Sequence, residues 1–244
     1  MKQGNFAIVK NIALTENVYK MTLTGDVSAI TAPGQFVNIK LDGLFLRRPI
    51  SVCNVEGDQL TIIYKAVGKG TAQMARMREG VLDVLTGLGN GYDLSLSGDR
   101  PVLLGGGVGV PPMYLLAKRL LAQGKKVSVI LGFNTKSEVF YEREFLDLGA
   151  DVTVTTVDGS YGQKGFVTDV LNNMDYTYFY TCGPEPMLKA VYRASKTSGQ
   201  MSFEKRMGCG FGACMGCSCK TITGYKRICK EGPVMKKEEI LWED

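Results

Sequence analysis

Hydrophobic and polar residues alternate through most of the first hundred positions. Short segments rich in β-branched residues predict strands, because turn residues such as Gly25-Asp26 and Gly57-Asp58 separate them. The predicted strands are Phe6–Leu14, Val18–Leu23, Gln35–Lys40, Ile50–Val55, Leu60–Ala66 and Val81–Leu85, with one short helix at Thr71–Met77. Strands at this spacing predict an antiparallel β-barrel or sandwich over residues 1–99.

After Asp99 the pattern changes to apolar strands that alternate with helices. The predicted strands are Val102–Gly105, Val127–Gly132, Val152–Val157 and Tyr176–Thr181, and the predicted helices are Pro111–Ala122, Glu138–Leu148, Val167–Met174 and Glu185–Lys196. Four βα units in a row predict a doubly wound parallel α/β domain over residues 100–203. Ligands of such a sheet bind at the carboxyl ends of its strands.

The composition excludes several classes of function. The chain has 244 residues, is 45% hydrophobic and carries a net charge of +5 without a basic stripe, so nucleic acid is not an expected partner. Glycines and prolines interrupt the longest weakly polar stretch, Pro101–Ala117, so no membrane helix is predicted. The opening residues lack the apolar run of a secretory signal, and we expect a cytoplasmic protein. Since there are 0 histidines, imidazole catalysis is excluded and the chemistry is expected to come from cofactors.

A segment at residues 204–244 has the spacing of an iron–sulfur site. Cys209, Cys214, Cys217 and Cys229 form C-x4-C-x2-C-x11-C, and the first three cysteines have plant-type [2Fe–2S] spacing. Neighbouring glycines allow backbone N–H groups to point at the sulfur atoms. A structural zinc site with four thiolates remains the alternative. Cys219 is interpreted as a bystander, and we expect the segment to take its order from the metal.

Two motifs in the barrel suggest a flavin site. Arg48-Pro49-Ile50-Ser51 starts a strand, where an arginine could hold a pyrophosphate and a serine could bond a flavin edge. Ile63-Tyr64-Lys65 precedes a glycine-flanked helix start with Gly70 and Thr71, which offers free N–H groups to phosphate. A solvated strand edge and an ordinary helix cap are the alternative interpretations.

Three motifs in the α/β half suggest a dinucleotide site. The run Gly105–Pro112, with Gly106 and Gly107, follows the first strand and opens a helix, although it does not match G-x-G-x-x-G. Asp158 ends a strand and could accept from a ribose diol, or could belong to an exposed Asp-Gly turn. Cys182-Gly183 ends another strand, where the cysteine could lie against a nicotinamide or be a small buried residue.

In this order the motifs resemble the ferredoxin-reductase flavoprotein family over essentially the whole chain. Arg206-Met-Gly-Cys-Gly-Phe-Gly-Ala-Cys214 and Glu231-Gly-Pro-Val234 narrow the resemblance to electron-transfer subunits of class 1B dihydroorotate dehydrogenases, which act in pyrimidine biosynthesis. The resemblance implies FAD at Arg48–Ser51, Ile63–Lys65, Gly70 and Thr71, NAD(H) in the α/β domain, and a [2Fe–2S] cluster. It also implies an FMN-containing catalytic subunit as partner, in a heterotetramer of two copies of each chain, and no catalytic base here.

Three other functions remain as alternatives. The small subunits of NADH-dependent ferredoxin:NADP oxidoreductase and of sulfide dehydrogenase share this layout, and a zinc-stabilised flavin-binding scaffold is the non-enzymatic alternative. Nicotinamide exchanges a hydride, an iron–sulfur cluster exchanges single electrons, and a flavin can do both. A chain that combines the three sites is therefore expected to convert one kind of transfer into the other.

Overall fold

The structure is a computed structural model that describes residues 1–242. Its strands are β1 (Lys2–Ala13), β2 (Val18–Thr24), β3 (Phe36–Ile39), β4 (Arg48–Glu56), β5 (Gln59–Lys65), β6 (Val81–Leu88), β7 (Pro101–Gly106), β8 (Ser128–Phe133), β9 (Asp151–Thr156), β10 (Gln163–Lys164), β11 (Tyr178–Cys182), β12 (Gly199–Ser202), β13 (Ser218–Thr221), β14 (Gly224–Arg227) and β15 (Val234–Lys236). Its helices are α1 (Lys69–Arg76), α2 (Val110–Ala122), α3 (Glu142–Asp147), α4 (Val167–Leu171) and α5 (Glu185–Ala194).

The N-terminal part is a closed antiparallel barrel. Its strand order is β1-β2-β5-β4-β3-β6, and pairing of β1 with β6 closes the ring. Alternate side chains such as Phe6, Met21 and Leu23 point inward and are fully buried. The predicted antiparallel barrel is confirmed, and closure removes the sandwich alternative.

The second part is a seven-stranded sheet in the order β10-β9-β8-β7-β11-β12-β15. The strands from β10 to β12 are parallel, and β15 is antiparallel to β12. Leu103 of β7 packs with α2 and α3, whereas its neighbours Val102 and Leu104 pack with α4 and α5. Helices thus cover both faces, which confirms the doubly wound α/β fold.

Side chains from the outside of the barrel pack in a hydrophobic cluster of the α/β domain. Cys53 of β4 and Ile63 of β5 lie in the same cluster as Met113 and Leu116 of α2. This packing fixes the barrel against the carboxyl edge of the sheet. Any site at their junction therefore has rigid walls.

The C-terminal segment is anchored to this frame. β13 and β14 form a hairpin, and Val234–Lys236 pairs with β12 at the edge of the sheet. Cys217, Ile228 and Cys229 pack in the same hydrophobic cluster as Val191 of α5. The segment therefore has protein packing of its own, beyond the order that we expected from the metal. The boundaries at residues 99/100 and 203/204 stay predictions.

One predicted helix differs from the structure. The expected helix Glu138–Leu148 is replaced by a 3-10 turn at Lys136–Glu138 and by α3, which begins only at Glu142. Tyr141 lies between them with a left-handed φ of 69° and prevents a continuous helix. Glu138 consequently lies in a loop at the carboxyl edge of the sheet. Within residues 1–242, helices are too short or too polar to cross a membrane.

Candidate functional site

The four predicted metal ligands form two pairs on one loop system. The backbone N–H groups of Ala213 and Cys214 donate to Cys209 Sγ at 3.2 and 3.4 Å, and Cys209 N–H donates to Cys214 Sγ at 3.4 Å. Cys229 N–H donates to Cys217 Sγ at 3.4 Å. Two pairs suit a cluster in which each of two irons takes two thiolates. A single tetrahedral zinc ion would require all four on one centre.

The backbone around the first pair is shaped to hold a compact anionic group. Gly210 and Gly212 have φ values of +78° and +93°, so the chain curls in a conformation that favours glycine. A Cβ atom at Gly208 would lie 3.1 Å from Cys214 Sγ. Side chains at these glycine positions would crowd the sulfur atoms, so the shape of this loop fits a cluster.

The cysteine thiols differ in their acidity. Burial alone would raise the pKa of Cys209, but N–H donors from Phe211, Cys214 and Ala213 lower it to about 6. Burial, together with neighbouring Cys217, raises the pKa of Cys229 to about 12. Metal binding at Cys229 must therefore release a proton, which the charge of iron would favour. Cys219 lies on β13, outside both pairs, and burial raises its pKa.

Arg48 and the start of α1 come together as predicted for a pyrophosphate site. A Cβ atom at Gly70 would collide with the Arg48 guanidinium, so a side chain at this position would displace it. Thr71 Oγ1 accepts N–H bonds from Val67 and Gly68 at 3.0 and 3.3 Å. Arg47 instead forms a two-bond ion pair with Asp83, both bonds being 3.0 Å. Of the adjacent arginines, Arg48 is thus the one beside the helix N-terminus.

The other predicted flavin residues lie on β4 and β5. Pro49, Ile50 and Ser51 pair with β3 through Asn38, Val37 and Phe36. Ile63 and Tyr64 are buried, and Tyr64 O–H donates to Asn11 Oδ1 at 3.1 Å. A cofactor contact at positions 63 and 64 would accordingly use the backbone, whereas Lys65 lines a cavity.

That cavity, of about 670 Å³, lies where the barrel meets the carboxyl edge of the parallel sheet. Its wall includes Lys65, the glycine run, Asn134, Glu138, Gly183 and Glu204. The volume is typical of a cofactor site, and the position is the one expected for a doubly wound sheet. Gly106 and Gly107, which we predicted to contact a nucleotide, both line it.

Some glycines of this run allow close packing with neighbouring residues. A Cβ atom at Gly106 would collide with Met187, and one at Gly109 would collide with the backbone of Cys182. Gly107 has a φ of +52° and open space around it. The run therefore serves close packing as well as leaving bare backbone at the start of α2.

Two residues that we predicted to contact the nucleotide, Cys182 and Asp158, are not among the described residues that line the cavity, and they differ in their exposure. Cys182 is 2% exposed. Its pKa is raised mainly by this burial and, to a smaller extent, by the charge of Glu204. Its neighbour Gly183 lines the cavity. Asp158 is exposed, and its Oδ1 accepts from Ser160 N–H and O–H at 2.9 and 2.7 Å. These bonds lower the pKa of Asp158, and the bond from the Ser160 side chain has the largest effect.

Sequence reasoning missed two functional candidates, Glu204 and Asn38. Glu204 follows β12 and lines the cavity, and desolvation by the surrounding protein raises the pKa of its otherwise exposed side chain. Asn38 of β3 donates from Nδ2 to the Cys209 carbonyl at 3.2 Å, and its buried Oδ1 has no hydrogen-bond partner within residues 1–242. An acidic residue after a strand could have indicated the first. Nothing in the sequence pattern connects Asn38 with a cysteine 171 positions away.

Comparisons with known proteins identify the family of this chain. The family model for the iron–sulfur cluster binding domain of dihydroorotate dehydrogenase B matches residues 204–241, and the oxidoreductase NAD-binding domain matches residues 103–193. The dihydroorotate dehydrogenase B (NAD(+)) electron transfer subunit of Geobacillus sp. (strain WCH70) is 43% identical, with 99% of both chains covered. That of Fusobacterium nucleatum subsp. nucleatum is 46% identical, with 98% of this chain and 99% of that protein covered.

Solved structures show the same architecture. An NADH-dependent reduced ferredoxin-NADP oxidoreductase superimposes with a TM-score of 0.88 at 30% identity, covering 97% of this chain and 90% of that one. A ferredoxin NADP+ reductase from Neisseria gonorrhoeae with bound FAD and NADP has a TM-score of 0.70 at 18% identity, covering 80% and 90%, and shares the fold.

The barrel, the doubly wound sheet and the cavity between them define an oxidoreductase of the ferredoxin-reductase class. The chain belongs to the family of electron transfer subunits of NAD-dependent dihydroorotate dehydrogenase B. It therefore has an iron–sulfur cluster-binding domain and an NAD-binding domain.

Proposed function

We propose that this chain carries electrons between an FMN-containing dihydroorotate dehydrogenase subunit and NAD⁺, with FAD in the barrel and a [2Fe–2S] cluster on the cysteine loop. FAD supplies the conversion between hydride transfer and single-electron transfer when it is bound. The residues of this chain hold the groups in sequence and keep them close. The proposal rests on one observation: the barrel contacts the cysteine loop on one side and forms part of the nucleotide cavity on the other.

The barrel touches both of its neighbours at that junction. On one side, Asn38 donates to the Cys209 carbonyl, and Asn38 pairs directly with Pro49 of the predicted FAD motif. On the other side, Lys65 of the barrel lines the nucleotide cavity together with Gly183 and Glu204. A flavin on β4 and β5 would consequently lie between the cluster and the nicotinamide.

The individual residues have distinct tasks in this arrangement. Arg48, beside Gly70 and Thr71, would hold the FAD pyrophosphate through charge and the free N–H groups of α1. Pro49, Ile50, Ser51 and the backbone of Ile63–Lys65 would line the flavin. Gly106, Gly107, Cys182 and Gly183 would receive the dinucleotide, and Cys209, Cys214, Cys217 and Cys229 would hold the irons.

The cluster end also suits a partner protein. Cys214 is exposed, and Phe211 and Met215 beside it are 44% and 55% exposed. Exposed apolar side chains next to a redox loop support docking of the catalytic subunit there. We place the assembly, with two copies of each subunit, in the cytoplasm and in pyrimidine biosynthesis, in keeping with seven free cysteines.

Anaerobic purification of the chain alone tests the cofactor assignment. We expect about two irons per chain for a plant-type cluster, together with bound FAD that NADH reduces. Dihydroorotate should leave the isolated chain oxidised, because its catalytic site is assigned to the partner. Fully folded protein that contains zinc and lacks iron would contradict the proposal.

A further inference from the structure

The outer face of strand β3 lies against the cysteine segment. All four residues of β3 are buried, and Val37 and Ile39 belong to the core of the barrel. Phe36 and Asn38, which alternate with them, therefore face out of the barrel. Phe36 belongs to the same hydrophobic cluster as Cys217 of the C-terminal segment. At the second outward position the sequence places an amide in a strand that is otherwise apolar.

Only one half of the Asn38 amide has a hydrogen-bond partner. The residue is 1% exposed, and its Nδ2 donates to the Cys209 carbonyl at 3.2 Å. Its buried Oδ1 has no partner within residues 1–242. Exchanging the two ends of the amide would not help, because a carbonyl only accepts and oxygen would then face oxygen. Burying an acceptor without a partner costs free energy, so stability alone does not favour asparagine here.

The backbone of Asn38 joins the predicted FAD motif. Asn38 pairs with Pro49 of β4, and its carbonyl accepts from Arg47 Nη1 at 3.3 Å. Within residues 1–242, no hydrogen bond other than that of the Asn38 side chain joins the barrel to residues 209–217. Strand pairing and one side-chain hydrogen bond thus form a short connection from β4 to Cys209, a predicted iron ligand.

We propose that Asn38 is a positioning residue for electron transfer, whose side-chain amide holds Cys209 against the barrel and bridges the flavin and the cluster. A hydrogen bond from outside fixes the orientation of a metal ligand. In the step that this bridge serves, NADH delivers a hydride to FAD, the cluster takes one of the two electrons, and the hydrogen stays on the flavin with the other. The inference rests on the proposed function, because it requires FAD in the barrel and a cluster on the cysteine loop.

Two substitutions at position 38 separate this task from a structural one. Asn38→Leu keeps the size and branching of the side chain and removes the amide, whereas Asn38→Ala also leaves a cavity. The denaturant midpoint of the cofactor-loaded protein should therefore stay close to the parent value in Asn38→Leu and fall in Asn38→Ala. Both variants should slow electron transfer from NADH-reduced FAD to the cluster by about 10-fold or more, since both release the Cys209 carbonyl.

Stopped-flow absorbance with NADH measures this transfer, and a redox titration followed by EPR measures the reduction potential of the cluster, independently of turnover. We expect the potential to become more negative in both variants, because an N–H donor beside a ligand favours the reduced, more negative cluster. Asn54→Leu is the matched control. Asn54 of β4 also has a buried Oδ1 without a partner within residues 1–242, but no hydrogen bond described there joins it to the cysteine loop. This control should keep the parent rate and potential.

The outcomes distinguish the inference from the function on which it rests. Parent-like transfer in Asn38→Leu, or equal slowing in Asn54→Leu, would overturn the inference and leave the proposed function in place. A parent protein that lacks iron or FAD, or whose cluster NADH does not reduce, would overturn both.

Discussion

At the scale of single residues, the cysteine loop provides an unequal set of ligands. Cys209 is half-buried among N–H donors that lower its pKa, whereas Cys229 is buried and holds its proton more tightly. Backbone N–H groups directed at sulfur stabilise negative charge, which an iron–sulfur centre requires at every ligand. The two pairs therefore contribute differently to cluster formation.

Serine substitutions test which thiols bind iron. Cys209→Ser, Cys214→Ser, Cys217→Ser and Cys229→Ser should each lose or strongly alter the cluster, because a serine oxygen is a poor, hard ligand for iron in a sulfur site. Iron content and the visible spectrum of anaerobic protein measure this. Cys219→Ser is the control and should keep its cluster. Cluster loss in Cys219→Ser with retention in Cys229→Ser would show that the fourth ligand is misassigned.

An ion pair next to the second cysteine pair gives the loop a pH dependence. Arg227 donates to the Gly212 carbonyl at 2.5 Å and forms several bonds to Glu231, whose carboxylate accepts from Arg227 Nε at 2.9 Å. The hydrogen bond from Arg227 lowers the pKa of Glu231 from 4.5 to about 2. Since the folded-state pKa is depressed, the stabilisation is complete above pH 4.5 and is lost as pH falls toward 2.

The Glu231→Gln variant should therefore release its cluster faster than the parent protein at pH 7, because the ion pair that holds the loop is weakened. Rates of absorbance loss, compared between the two proteins from pH 7 downward, measure the effect. Their ratio should shrink as pH falls from 4.5 toward 2, because the stabilisation by the charged Glu231 is lost over that range. A ratio that stays constant with pH would exclude the ion pair as the cause.

At the scale of elements, β3 connects the flavin barrel to the cluster loop. Asn38 bonds the Cys209 carbonyl, and a Cβ atom at Gly210 would collide with the Asn38 side chain. Gly210 also has a φ of +78°. The contact between strand and loop thus depends on the absence of a side chain at position 210.

Gly210→Ala should loosen this contact and slow electron transfer from reduced FAD to the cluster while FAD stays bound. The left-handed conformation adds about 1–2 kcal/mol of strain for a residue with a Cβ atom. Stopped-flow absorbance with NADH measures the transfer. Gly224→Ala is the matched control, since Gly224 has a φ of +109° with open space around its Cβ position. Equal slowing in both variants would show that strain alone is responsible.

Sequence patterning predicted most elements because apolar alternation marks strands that are buried on one face or both. It missed β12, where Gln200 and Ser202 are buried although they are polar. Gln200 is satisfied by Asp93, with bonds of 2.9 Å to its N–H and carbonyl groups, and such long-range compensation has no local signature. It also missed the break in the helix expected at Glu138–Leu148, because Tyr141, which has a left-handed φ just before α3, is not a glycine.

At the scale of the whole molecule, the predicted flavin, nucleotide and cluster sites are neighbours, although the residues that form them come from every part of the chain. Spacing identified the cysteines, because a cluster requires local sequence order. It could not show that Asn38 reaches Cys209 or that Lys65 and Glu204 share a cavity, because those contacts depend on how the barrel docks on the sheet. The order that we propose for the three sites therefore depends on contacts that form only in the folded chain.

Reconstitution from separately purified subunits tests this route most directly. The chain is mixed anaerobically with an FMN-containing dihydroorotate dehydrogenase subunit, and NAD⁺ reduction by dihydroorotate is followed. We predict NAD⁺-dependent turnover in the mixture and none with either subunit alone. The absence of any gain on mixing, dihydroorotate oxidation by this chain alone, or efficient coupling to ferredoxin or sulfide in place of the FMN subunit would contradict the account.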